Sequence, residues 1–171
     1  MSHVEEAIRM WEMYRQGTIG ELANVPEEQW DHRAGDGART VRELAMHIAL
    51  SAIGFTNELV SPEPSFTKLR DPATQAKMAE PYASKTSKAD ILDLLKTSGE
   101  DNARRLREAG DSLEGKTMPS FGGQGSCLSG LWFAAAHEMY HRGQVTTYAR
   151  QLGLVPAMTQ RTQTGTIPPR R

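Results

Sequence analysis

An all-α four-helix bundle, with one long crossover connection between its second and third helices, is the fold that this sequence predicts. Three observations carry the prediction. Four segments repeat apolar residues at helical spacing. Three of them follow a Ser or Thr with an acid three residues on. No stretch alternates apolar and polar residues between hairpin turns.

The first helix starts at Ser2, whose S-x-x-E spacing to Glu5 reads as a capping box. Val4, Ile8, Trp11 and the aliphatic stem of Arg15 follow on one stripe, which fades before Pro26. The second starts at Thr40 with another box to Glu43. Val41, Leu44, Ala45, Ile48, Ala52, Phe55 and Leu59 trace its buried face until Pro62 and Pro64 stop it. Residues 61–86 are proline-bearing and polar, and read as a long loop with one short turn of helix. The third helix runs from Ser87, capped against Asp90, through Ile91, Leu94, Leu95 and Leu106 to Gly110.

The segment "PSFGGQGS" reads as a flexible lead-in to the fourth helix, which starts at Ser126 or Ser129. "LGLVP" closes that helix: Gly153 suits the left-handed position after it, Leu154 the hydrophobic contact that follows, and Pro156 blocks continuation. The bundle is therefore expected over residues 1–157, with 158–171 as a flexible basic tail.

A chain of 171 residues with 38% hydrophobic and 24% charged residues is that of an ordinary globular domain. Its formal net charge of -1 argues against nucleic acid and membrane surfaces as partners. The longest apolar run, "LWFAAA", falls far short of the roughly 20 residues that a membrane span needs. Cys127 is the single cysteine, which excludes an internal disulfide or a thiolate metal cluster and fits a reducing compartment. With an acid-bearing amphipathic N-terminus unlike a secretory signal, a cytoplasmic location is expected.

Chemistry concentrates in "HEMYHRGQV", residues 137–145, which satisfies H-E-x-x-H. At ~100° per residue, His137 and His141 stand only about 40° apart, and Gly130, Ala134, Gln144, Tyr148 and Leu152 share their face. Two imidazoles turned into a small core need hydrogen bonds or a metal. His47, at the border of the apolar stripe in "RELAMHIALSA", completes three nitrogen donors from facing helices. His32 and His3 are alternatives in a loop and a capping region. Glu138 points elsewhere and reads as a surface ion pair with Arg142. Gln144 and Tyr148 are either polar neighbours of the site or packing residues, and Cys127 reads as inert.

A zinc protease of this signature takes a third ligand downstream, yet residues 142–171 contain no Glu, His or Asp. The protease reading is therefore rejected.

"VRELAMHIALSA" and "AAAHEMYHRGQVTTYARQLGLVP", with the approach "NVPEEQWDHR…GARTVRELAMHI", resemble the DinB-like (YfiT-like) metal-binding four-helix bundles over residues 1–157. The resemblance implies that His47, His137 and His141 bind one divalent ion (zinc, nickel or iron), with water in the open positions. Members with a defined activity are often thiol transferases that use a low-molecular-weight thiol such as bacillithiol or mycothiol, and one branch isomerises maleylpyruvate. It also implies a homodimer. Three neutral imidazoles leave a dication with vacant positions, the arrangement of a catalytic site. The expected function is thus a metal-dependent small-thiol S-transferase, with a non-catalytic module holding a structural metal as the alternative.

Overall fold

The computed structural model describes residues 1–165. In chain order it contains α1 (His3–Asn24), α2 (Val41–Leu59), α3 (Pro72–Ala79), α4 (Lys88–Ala109), α5 (Ser112–Gly115), strands β1 (Thr117–Ser120) and β2 (Gly123–Ser126), α6 (Cys127–Gln151) and α7 (Ala157–Gln163).

Each long helix starts where a hydroxyl accepts an orphan first-turn amide. Thr40 Oγ1 accepts from Glu43 N at 3.1 Å while the Glu43 carboxylate accepts from Thr40 N at 2.7 Å. Ser87 and Asp90 form the same reciprocal box on α4, and Ser126 caps α6 through Ser129 N at 3.0 Å. At Ser2 half of the expected box forms: Ser2 Oγ accepts from Glu5 N, but the Glu5 carboxylate turns to Arg9 and Arg107 instead. The end of α6 follows the sequence. Gly153 adopts φ 75°, and the amides of Gly153 and Leu154 donate back to Arg150 O and Ala149 O at 3.0 and 2.9 Å.

α1 packs on α4 and α6, and α2 packs on the same two helices, so α1 faces α2 across one diagonal and α4 faces α6 across the other. The long connection after α2 holds more structure than the single turn expected. Asp71 caps α3 through Thr74 N with Pro72 in the first turn, and short 3-10 turns flank it at Phe66–Arg70 and Glu80–Tyr82.

Two other expectations change. The glycine-bearing lead-in to α6 is not loose. β1 and β2 form an antiparallel hairpin, and Met118 lies so close over α6 that a Cβ on Gly130 would sit 2.2 Å from it. Strands of four residues are too short to show alternation. The stretch expected as a tail instead begins with α7, whose first amides, Ala157 N and Met158 N, donate to the buried Glu21 carboxylate at 2.7 and 3.0 Å. The remainder of that expected tail, residues 166–171, lies outside the described residues.

The buried apolar residues divide into two clusters. One includes Ile8, Trp11, Phe55, Leu59, Leu106 and Leu131; the other includes Leu22, Trp30, Leu44, Ile48, Leu95 and Val145. Where the helices pass from one cluster to the other they carry polar side chains: Arg15 and Thr18 on α1, His47 and Ser51 on α2, Ser98 and Asn102 on α4, and His137, Glu138 and His141 on α6. A polar belt therefore crosses the waist of the bundle.

Its anchor is a buried ion pair. Arg15 Nε and Nη2 donate to the two Glu138 carboxylate oxygens at 2.6 and 3.0 Å, Arg15 Nη1 donates to Leu95 O at 2.9 Å, and Trp11 Nε1 donates to Glu138 at 2.6 Å. Three helices meet in this one set of bonds. Glu138 is 1% exposed, so its expected surface pairing with Arg142 does not form; Arg142 instead lies over Gly17 of α1. Glu138→Ala would strand a buried guanidinium, and urea unfolding of chelator-treated protein should record a loss of about 3–5 kcal/mol. Replacing both partners, Arg15→Met with Glu138→Leu, should recover most of it. A single-variant loss below about 1 kcal/mol, the range of an exposed pair, would show that the pair does not hold the bundle.

Candidate metal centre

The rotation of α6 sets what its histidines face. With Glu138 turned to Arg15 and Trp11, the residues about 100° away on the helix are presented to α2. His137 and His141 lie on that side, one turn apart, and His47 meets them from α2. His141 Nε2 stands 3.1 Å from His47 Nε2 and 3.1 Å from His137 Nε2, and all three donor atoms fall within 4.8 Å of one another. The three residues named from the sequence are thus brought together.

Neighbouring polar groups orient the rings. Gln144 Oε1 lies 2.7 Å from His141 Nδ1, which places the ring proton there and leaves a lone pair on Nε2. Gln144 Nε2 in turn donates to Tyr140 Oη at 3.3 Å. Ser51 Oγ is 3.4 Å from His47 Nδ1. One lone pair on His141 Nε2 cannot serve two neighbouring nitrogens well. Three imidazole donors around a tetrahedral zinc would lie about 3.3 Å apart, close to the two 3.1 Å separations at His141. The donor set fits a divalent cation.

Charge supports the same reading. Burial pushes His47 down to about 4, with the Arg39 guanidinium and then His141 adding to it. Burial likewise pushes His137 down to about 3, followed by His141, His47 and Arg39. His141 also moves down, because burial outweighs the Gln144 bond and the Glu138 charge, which favour its protonated form. Neutral imidazoles offer lone pairs to a metal without first losing a proton.

The other candidates separate from this group. His32 Nε2 contacts Gln151 Oε1 at 3.3 Å, and its ring stands edge-on to Tyr148 at 6.0 Å. His3 is exposed in the first turn of α1. Tyr148 donates its hydroxyl to Arg39 O at 2.9 Å, so of the two polar neighbours only Gln144 bonds a histidine of the triad. Cys127 is fully buried, and burial pushes its thiol up, away from nucleophilic use.

One side of the triad opens. His47 and His137 stand on the wall of a cavity of ≈ 750 Å³ bounded by α2, α3, the hairpin tip and α6. Phe55 lies 5.1 Å from the His137 ring, Phe133 continues that wall at 5.6 Å from Phe55, and Phe121 at the hairpin tip lies 5.5 Å from Phe133. Arg39 and Arg70 also line it. Nothing in the sequence marks Arg39, Arg70 or Phe121, because a loop, a 3-10 turn and a hairpin bring them to the cavity from distant points.

A histidine held neutral below its unfolded value of about 6.5 stabilises the fold above that pH and ceases to do so as pH falls toward its folded value. Chelator-treated protein should therefore lose stability from about pH 6.5 down to about 4, read as a falling urea midpoint. A His47→Gln, His137→Gln variant should show a shallower fall, and equal pH slopes would refute the assignment.

Comparison with known proteins agrees with this architecture. A DinB-like protein from Bacillus subtilis, YjoA, aligns with a TM-score of 0.67 at 18% identity, covering 86% of this chain and 92% of that one. A candidate DinB-family member from Exiguobacterium sibiricum aligns with a TM-score of 0.66 at 25% identity, covering 90% and 94%. YfiT from Bacillus subtilis, described as "a probable metal-dependent hydrolase with an unusual four-helix bundle topology", aligns with a TM-score of 0.66 at 21% identity, covering 88% of both chains. No curated protein matches the chain. The sequence model of the DinB family matches residues 1–170, and the chain belongs to that family.

Proposed function

We propose that this protein is a metal-dependent enzyme of the small-thiol S-transferase type, in which His47, His137 and His141 hold one divalent ion beside a cavity that admits a thiol and its electrophilic acceptor. The observation that carries this reading is the convergence of three Nε2 atoms, two of whose histidines, His47 and His137, stand on the wall of an open cavity. A structural ion needs closed coordination, whereas a catalytic one keeps a position for substrate. Imidazole donors suit zinc, nickel and iron alike.

The choice of nucleophile follows from what the chain lacks near the triad. Glu138, the residue that would serve as base in an H-E-x-x-H protease, is committed to Arg15 and Trp11 on the other side of α6. The cavity lining contains no Asp or Glu. A thiol, with a pKa of about 8.5, needs far less help to ionise than water at about 15.7. The ion would supply Lewis acidity that favours thiolate over thiol. His47, His137 and His141 would hold the ion, Gln144 fixes the tautomer of His141, and the aromatic wall offers a surface for the acceptor's apolar part. The sulfur–carbon bond forms as the leaving group departs with its electron pair, and the thiol proton passes to solvent.

Hydrolysis is the second reading, favoured by the description of YfiT, whose fold this chain shares. Metal analysis by mass spectrometry on untagged protein, purified without chelators, comes first. About one divalent ion per chain is expected, with sharp loss in His47→Ala, His137→Ala and His141→Ala. Negligible metal in folded parent protein that also takes up no zinc or nickel would overturn the proposal.

Loaded protein is then assayed with cysteine and 1-chloro-2,4-dinitrobenzene, and separately with p-nitrophenyl acetate without thiol. Histidine-dependent thioether formation supports S-transfer, and histidine-dependent ester cleavage alone supports hydrolysis. Metal without either turnover favours a non-catalytic module. Gln144→Ala should weaken metal affinity by about 10–100-fold without unfolding the bundle, by competition with a chelating dye.

A further inference from the structure

The cavity beside the triad has an unbalanced charge. Arg39 and Arg70 both reach its lining, and no Asp or Glu does. Several arginines elsewhere pair with carboxylates, among them Arg42 with Asp31, Arg104 with Asp101 and Glu108, and Arg107 with Glu5 and Glu12. Among the described residues, no carboxylate pairs with Arg39 or Arg70. The hydrogen bond that Arg70 makes, to Phe121 O, is long at 3.5 Å, and its guanidinium stacks on the Phe121 ring at 4.8 Å. Stacking holds the planar group in place while leaving its donors free for a ligand.

The remaining wall is mostly apolar, with Phe55, Phe121, Phe133 and Met78 lining it beside the polar Ser51 and Gln75. A volume of ≈ 750 Å³ falls within the range of small-molecule sites, about 300–1,000 Å³. Two cations over an apolar chamber focus a positive potential into it. Arg39 shares the chamber wall with His47 and His137.

We propose that this cavity selects a small amphipathic molecule bearing a carboxylate, with Arg39 and Arg70 taking the anionic group and the aromatic wall taking the apolar body. A charged carboxylate matches a guanidinium through paired N–H donors, and a neutral analogue leaves both cations without a partner. Naming this molecule as substrate rests on the metal-enzyme reading above; its binding does not. A dication on the histidines adds to the positive potential, and an anionic ligand offsets it.

The test is isothermal titration at low ionic strength of 4-phenylbutyrate and its neutral analogue 4-phenylbutyramide, on chelator-treated and on zinc-loaded protein. Arg39→Gln, Arg70→Gln and the double variant are compared with Arg104→Gln, whose side chain pairs on the surface of α4. The acid should bind at least about tenfold more tightly than the amide, and each cavity arginine should be worth about tenfold in Kd, the scale of one charge-assisted bond. The preference should disappear in the double variant and persist in Arg104→Gln. Zinc content should stay at the parent level throughout.

Equal binding of acid and amide, no measurable binding of either, or a preference that survives the double variant would overturn the proposal. A preference that appears only with zinc and ignores the arginines assigns the anion to the ion: the arginine proposal then fails and the three-histidine reading stands. Arginine-dependent binding in protein that takes no zinc supports the cavity proposal while the metal reading fails.

Discussion

The ion pair between Arg15 and Glu138 constrains most of what surrounds it. A carboxylate and a guanidinium removed from water demand nearly complete satisfaction, and here Trp11, Leu95 and the pair itself supply it. The requirement fixes the rotation of α6 and its depth against α1 and α4. Since helical residues are spaced at ~100°, the position of Glu138 dictates that of its neighbours on the same turn. The histidines reach α2 because the glutamate reaches α1.

Apolar clusters lie on both sides of this polar belt. A bundle with a continuous apolar seam can slide or rotate by small steps at little cost, whereas a buried pair with defined donors admits few registers. The belt thus combines a buried ion pair, made by Arg15 and Glu138, with a candidate metal centre, made by the three histidines. In an H-E-x-x-H zinc protease the glutamate belongs to the chemistry; in this chain it belongs to the scaffold, and the two histidines face His47 of α2 without it.

The sequence made the four long helices legible because their caps and stripes are local properties. Thr40 with Glu43, Ser87 with Asp90 and Gly153 with Leu154 act within one turn of themselves, and the structure contains each of them. The triad was legible because two of its members share one helix and the third sits on an apolar border. The burial of Glu138 is not legible, since burial of a charge depends on its partner, and Arg15 lies 123 residues away. Arg15 was placed on the correct face, but for its stem rather than its charge. The hairpin and the cavity lining were not legible, because short strands show no periodicity and the cavity exists only where α2, α3, the hairpin and α6 meet. The α3 cap is present in the sequence as Asp71 before Pro72, but a helix of eight residues is too short to stand out from the proline-bearing stretch around it.

The placement of the triad also bears on how the chain reaches its native state. His47 and His141 are 94 residues apart, on helices joined only through α3, α4 and the hairpin. Such a distant contact carries a greater loop-closure cost than the contact within α6. His137 and His141 can meet within one helical turn, yet the third donor exists only once α2 has docked on α6. An ion that needs all three distinguishes the finished fold from every partly folded form, and its occupancy shifts the balance toward the native state by mass action. An ion held there would act as a seal on completed folding.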